Sequence, residues 1–361
     1  MGGMRYFTLL DWYLNRAILG SVALVMAVLL GLFTLFELIA QLDNLGPGDY
    51  DAPAALVYVA LRIPRLCYEL FPSAAMIGVL LGLSSLARTG ELAVIRFAGR
   101  SRLGLLGSVM KGGSLLIIAV IVLGEFVAPP LDMRADQYRS TKRVGRISLG
   151  TLTGIWVRDG TTYINIRGVM TAESLRDVYI YEFDHDEHLR SSTYAAEADY
   201  DNGGWRLSNV VQTRLDGARA QRVAFREAGW QSLVDPALVD VLTAASEQLS
   251  IKSLQRYIAY LKSNGLRTET YEYALWLKLM YPVATAVMIL LGVPMVLGRL
   301  TRTVAMGQGV LQGTLIGVSF HLVNQTIGHL AVVAEVAPMV SAAVPTLVVL
   351  VIGLYLLNRV R

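Results

Sequence analysis

Six stretches of this chain are apolar for long enough to cross a lipid bilayer, which leaves few folds open to it. In hydrocarbon every backbone N–H and C=O has to be satisfied within the protein, and for runs of this length the helix is the solution. The predicted spans begin with Ala17–Phe36, which carries no charge. A second helix starts near Pro53, is interrupted around Pro64 and Pro72, and has a charge-free run from Leu70 to Ala87. Leu103–Val127 follows, ended by Pro129-Pro130. After a long polar middle come Leu279–Gly298, Thr303–Val333 and Val336–Asn358. With 54% hydrophobic and 17% charged residues, an ordinary soluble globule is excluded. The first run is about twice a signal-peptide core, so it is read as an uncleaved span.

Charge placement sets the orientation. With the N-terminus inside, the short cytoplasmic flanks hold Arg5, Arg16, Arg88, Arg96, Arg100, Arg102, Lys111, Arg299, Arg302, Arg359 and Arg361, against Arg62 and Arg65 in the short outer loops. Such an excess marks the cytoplasmic side, so both termini are predicted inside. From Asp132 to Lys278 the chain has 19 Lys and Arg against 19 Asp and Glu, so the net charge of +4 lies in the membrane flanks. Topology therefore accounts for the basic balance without a nucleic-acid partner. A single cysteine, Cys67, excludes an intramolecular disulfide and a cysteine metal cluster.

The stretch Phe71–Arg102 joins a span to a short charged helix at a cytoplasmic elbow. Arg88, Arg96, Arg100 and Arg102 surround one acid, Glu91, while Leu92, Val94, Ile95 and Phe97 give the segment an apolar side. A short amphipathic helix can simply lie on headgroups. Alternatively it can seat in a partner, with Leu92, Ile95 and Phe97 as anchor and Glu91 as an ion-pair member.

Elsewhere the features are those of packing and topology. Met1–Arg16, with Trp12 and Tyr13, reads as an interfacial segment, and Lys111 as a snorkelling side chain. Gly78-x-x-x-Gly82, and the stripe of Gly309, Gly313 and Gly317, permit close helix approach. Between Ile155 and Trp230 short β-rich runs alternate with Asp159-Gly160, Asp184-His185-Asp186, Asn202-Gly203-Gly204 and Asp216-Gly217, predicting an antiparallel sandwich or roll. Ser250 is placed to cap a helix over Ile251–Lys262 that Asn264-Gly265 stops. The predicted divisions are residues 1–131, an N-terminal membrane half; 132–248, the β-domain; and 249–361, a connecting helix with the C-terminal membrane half.

No G-x-x-x-x-G-K-[ST] motif is present, so this chain is not a conventional P-loop ATPase. His185 and His188, in an acidic turn, read as solvated rather than metal-ligating, and no metal site is assigned. Glu37, Glu125, Lys278 and Glu335 lie near outer span ends, where hydration makes them inexpensive. Arg62, Arg65, Arg134, Arg139 and Lys278 together place cations at the outer surface, where a lipid could present phosphates.

Several motifs, in this order, resemble the lipopolysaccharide export permease family LptF/LptG. They are Leu10-Asp11-Trp12-Tyr13, Phe71-Pro72, Glu91 to Gly99, Gly124-Glu125-Phe126-Val127-Ala128-Pro129, Gly154 to Gly160, Ser250 to Gly265 and Trp276-Leu277-Lys278. The start and the Trp156 region are closer to the G branch. The resemblance implies a six-span half-transporter with a periplasmic β-jellyroll, in the bacterial inner membrane. It implies a homologous LptF-like partner, two copies of an LptB-like cytoplasmic ATPase that would use ATP and magnesium, an LptC-like single-span bridge protein and a jellyroll bridge component. Lipopolysaccharide would be the cargo, Glu91, Leu92, Ile95, Arg96 and Phe97 the ATPase-coupling residues, and spans one and five, the latter with the glycine stripe, the lateral gates. No cofactor is expected in this chain. Where G subunits often carry a basic pair after span one, this chain has Asp43-Asn44, which moves phosphate contact toward Arg62, Arg65, Arg134, Arg139 and Lys278. A scaffold that couples an ATPase to periplasmic events without moving lipid would share the elbow and outer domain, and is the alternative reading.

Overall fold

A computed structural model describes residues 9–144, 154–171, 173–184, 186, 188–201, 203–216, 219–231, 236–243, 246–298, 306–333 and 336–359. Arg5, His185, Arg299, Arg302, Glu335 and Arg361 lie outside the described residues. The chain divides into two compact units, one formed by residues 1–40, 59–132 and 269–361, the other by 41–58 and 133–268.

The first unit is helical. α1 (Leu9–Leu42) is continuous from the predicted interfacial segment through the first span. α2 (Ala52–Arg88), α3 (Glu91–Phe97) and α4 (Arg102–Val122) follow. Five described helical stretches are long and apolar enough to cross a membrane. α8 (Glu269–Leu297) packs against α4 and α10 (Pro338–Arg359). α9 (Met306–Val333), the fifth predicted span, is a 28-residue helix without a formal charge, though Gln312, His321 and Asn324 dilute its apolar run.

Two proline predictions are corrected. Pro64 and Pro72 lie inside an unbroken α2, where each removes a backbone hydrogen bond. Burial of 72% of its apolar window holds this helix together, against 17% for α1. Nor do Pro129 and Pro130 end the third span. A π-helical turn, Leu123–Val127, passes directly into α5 (Ala128–Val144), so the prolines lie inside a continuous helical run and leave carbonyls of the turn before them without a backbone donor.

Small residues set the spacing around α2. A Cβ at Gly78 would overlap the Val22 backbone and one at Gly82 the Ile18 backbone, so α1 lies directly on this face. On another face Gly313 and Gly317 of α9 meet Ile77, Leu80 and Ser73, and Ser73 Oγ donates to the Gly317 carbonyl at 3.3 Å. The core between them includes Leu14, Ile18, Val22, Met76, Val79, Leu83, Leu105, Met288 and Ile289.

In the second unit six strands, β1 (Ile155–Asp159), β2 (Thr162–Thr171), β3 (Ser174–Phe183), β4 (Leu189–Asp201), β5 (Gly204–Asp216) and β6 (Arg219–Trp230), pair consecutively and antiparallel. A jellyroll was expected; the described strands form a meander, with no Greek-key crossover among them. Across β2 to β5 the pairing skips one position per strand, at Arg167, Asp177, Ala196 and Asn209, while the register on either side is unchanged. Asp177 and Asn209 have positive φ, 50° and 53°. At this crease the alternation changes phase. Ile164 and Ile166 are buried before it and Val169 after; Leu175, then Val178 and Ile180; Ala195, then Ala198; Leu207, then Val210. One inserted residue per strand thus bends the sheet while keeping apolar residues on one side.

α6 (Pro236–Thr243) and α7 (Ile251–Ser263) complete this unit. Ser250 caps α7 by accepting the Ser253 N–H at 3.1 Å, and Gly265 follows at φ 65°. From α7, Tyr260 Oη accepts the Arg158 N–H at 3.2 Å and donates to the Arg158 carbonyl at 2.6 Å, satisfying a backbone pair on the sheet edge.

Candidate functional site

The elbow is made by two glycines. Gly90 (φ 79°) ends α2 and Gly99 (φ 88°) follows α3, conformations that cost side-chain-bearing residues energy. Between them α3 has two faces. Leu92 and Ile95 are 0% and 8% exposed and belong to the chain's own core, whereas Val94 and Phe97 are 68% and 91% exposed. Leu92 and Ile95, predicted as anchors on a partner, are therefore taken up internally, because a seven-residue helix needs one face to hold it in place. The outward anchor is Phe97, with Val94. Arg96 is half-buried. Leu10, Tyr13, Thr89, Gly90, Glu91, Val94 and Ile95 line a groove of about 350 Å³ beside the helix. Tyr13 Oη donates to Glu91 Oε2 at 2.6 Å. A carboxylate accepts several hydrogen bonds, so this contact orients Glu91 and leaves acceptor capacity for a cation.

Behind the elbow is a cluster that the sequence reading missed. Asp11, on the first turn of α1, is 0% exposed. Its Oδ1 accepts from Ser108 Oγ at 2.5 Å and Arg100 at 3.3 Å, and its Oδ2 from Lys111 at 2.8 Å. Lys111 is thus an ion-pair partner rather than only a snorkelling side chain. One turn on, buried Asn15 donates to the Ser108 carbonyl at 3.1 Å. The available signal was the spacing of Ser108 and Lys111, which puts both on one face of α4.

A second cluster forms where α1, α2 and α5 meet. Asp132, with a side chain 2% exposed, accepts from Arg62 at 3.1 Å and Arg65 at 2.6 Å. Arg62 also pairs with Glu37 at 2.5 Å, and Arg65 with Glu69 at 2.7 Å. Lys278 Nζ donates to the Gly124 carbonyl at 3.0 Å. In the π register that carbonyl would receive the N–H of residue 129, which is proline, so Lys278 satisfies a group the backbone cannot. Tyr281 Oη donates to the Glu69 carbonyl at 3.0 Å, and its ring stacks on Tyr68 at 4.5 Å.

Of the five predicted phosphate-binding cations, Arg62, Arg65 and Lys278 belong to this helical unit, the arginines held by carboxylates. Arg134 and Arg139 belong to the other unit. Arg134 is exposed; Arg139 pairs with Asp136 at 3.4 Å and lies 4.8 Å over the Tyr58 ring. Gly309 lies within α9, on the predicted stripe with Gly313 and Gly317. At the β3–β4 turn Asp184 Oδ1 accepts the His188 N–H at 2.8 Å and the Asp186 N–H at 3.0 Å. The His188 N–H foremost holds this carboxyl below its ordinary range. Asp184, Asp186 and His188 have ligand-type atoms within 4.8 Å of one another, in the arrangement of a hydrogen-bonded surface turn.

The description "Lipopolysaccharide export system permease LptF/LptG" matches residues 12–359. The chain belongs to the LptF/LptG permease family. It is similar to the Lipopolysaccharide export system permease protein LptG of Escherichia coli strain K12, 33% identical over 359 residues and 99% of each chain. The Haemophilus influenzae protein of the same name is 30% identical over 354 residues, 98% of this chain and 99% of that one. The match to this permease family therefore spans the elbow, the inserted sheet and, Asp11 excepted, the residues of both clusters.

Proposed function

We propose that this chain is the transmembrane permease subunit of an ATP-driven exporter that takes lipopolysaccharide from the inner membrane and passes it to a periplasmic bridge. The observation that carries this reading is the two-faced α3. Leu92 and Ile95 fix it to the membrane core, and Phe97 projects at 91% exposure from the end of the same helix that Glu91 begins. An exposed aromatic on a short helix that also carries a carboxylate is what a partner pocket can seize. Because the sequence has no phosphate loop, hydrolysis falls to the partner, two LptB-like ATPases using ATP and magnesium. An LptF-like subunit completes the membrane part, with an LptC-like protein and a jellyroll component downstream.

The charge distribution supports a cytoplasmic elbow and a periplasmic β-domain. Within this reading the creased sheet turns its apolar side toward lipid, and α1 and α9 are the gates. Phosphate groups would meet exposed Arg134 and half-buried Arg139, or compete for Arg62 and Arg65 with Glu37 and Glu69, whose side chains are 21% and 34% exposed.

Affinity purification of the full chain with mass spectrometry of proteins and lipids tests the proposal. The ATPase and lipopolysaccharide are expected together with the wild-type chain, and the ATPase is expected to be lost with Phe97→Glu. Recovery of the ATPase without lipopolysaccharide would favour the scaffold instead.

A further inference from the structure

We infer that Asp11 is the joint through which movement of the elbow reaches α1. The inference rests on α3 being the ATPase-docking element and goes beyond it, to the path that motion takes inside the chain. Four observations converge.

A charge with no exposed surface near the end of a spanning helix is costly and persists where its partners satisfy it. Arg100, Ser108 and Lys111, from the stretch immediately after α3, are such partners of Asp11. Tyr13 adds a direct contact to α3 through Glu91. α3 itself is tied by Leu92 and Ile95 into the same core that holds Leu14, Ile18 and Val22 of α1. α3, the start of α4 and the start of α1 therefore form one locked body.

The rest of α1 differs. Leu14, Ile18, Val22 and Val25 are buried, but no residue from 26 to 40 is. From Asp11 to Phe36 the helix runs about 37 Å at 1.5 Å per residue, so a tilt of about 5° at the joint moves the far end about 3 Å. A small push on α3 then becomes a larger displacement of the unburied half of α1, carried by a contiguous set of contacts.

The test uses the assembled exporter in lipid, with nitroxide labels at Leu32 on α1 and Ile118 on α4, both exposed, and a parallel assay of lipid released per ATP hydrolysed. Wild type is expected to show a nucleotide-dependent change in the label distance. Asp11→Asn, which keeps shape but removes the charge, is expected to abolish that change and to lower lipid released per ATP at least tenfold, with hydrolysis within twofold of wild type. Asp11→Glu should recover at least half of both signals. Should Asp11→Asn fail to assemble, Tyr13→Phe, at a half-exposed position, carries the test with an expected threefold loss of release per ATP. An unchanged distance response and release ratio in Asp11→Asn, or in Tyr13→Phe when that variant carries the test, would make the cluster a static pin and overturn the inference. Failure of the docking reading is separate: Phe97→Ala would leave ATPase association unchanged, whatever Asp11→Asn does.

Discussion

The two ends of α1 are both tied by ion pairs, but in opposite ways. At its start the buried acid is α1's own Asp11, and the cations approach from the surface, Arg100 at 36% and Lys111 at 42% side-chain exposure. At its far end the buried acid, Asp132, belongs to α5, and α1 contributes Glu37, 21% exposed, through a pair with Arg62, while Asp132 pairs with both arginines. A helix whose own charge is buried at one end and peripheral at the other is fixed at the first and lightly held at the second. Loss of a buried partner strands charge in a dry site, whereas loss of a peripheral one is repaired by water.

The largest stability effect is expected from Asp132→Ala. It leaves Arg62 and Arg65 without their shared carboxylate, a loss of about 3–5 kcal/mol for a buried network, seen as early thermal unfolding in detergent. Asp11→Ala comes next at about 2–4 kcal/mol, smaller because Arg100 and Lys111 reach water. Lys278→Met follows at about 1–3 kcal/mol, the cost of an orphaned buried carbonyl, and should increase proteolysis or hydrogen exchange near Gly124 before the global transition moves. Smallest is Glu37→Gln, within about 1 kcal/mol, and wild type and variant should converge in stability as salt is raised from 0.05 to 0.5 M. If Glu37→Gln costs as much as Asp11→Ala under one set of conditions, the contrast between fixed and lightly held ends is wrong.

Much of this was legible in the sequence, for definite reasons. Long charge-free runs have one solution in hydrocarbon, and Asp159-Gly160, Asn202-Gly203 and Ser250 act through local backbone geometry, so they mark turns and a cap without tertiary help. The β2–β3 turn has no such residue and left no signal. Strand lengths were underestimated at the crease. The predicted second run stopped at Ile166 and the third started at Val178, on either side of Arg167 and Asp177, because a phase change in alternation looks like a strand end. Pro64 and Pro72 misled because α2's burial outweighs the breaks they introduce. Glu91 was found as the lone acid of the elbow, but Tyr13 lies 78 residues away and Asp11 97 from Ser108. Contacts at such separations leave no periodic trace. Helical spacing does separate Leu92 and Ile95 from Phe97 by about 140° or more, but with apolar residues on both faces it carries no sign of which face meets the core.

The π turn at Leu123–Val127 also sets an azimuth. One additional residue per turn advances every later side chain by about 100° around the helix axis relative to an uninterrupted α-helix. Asp132 lies five residues past that turn. Its aim at Arg62 and Arg65 is therefore a product of the extra residue: deleting Phe126 would straighten the helix while swinging Asp132 about a quarter-circle away from both arginines. An insertion that looks like a local irregularity thus works as an angular offset, setting the phase of the whole helical rod beyond it.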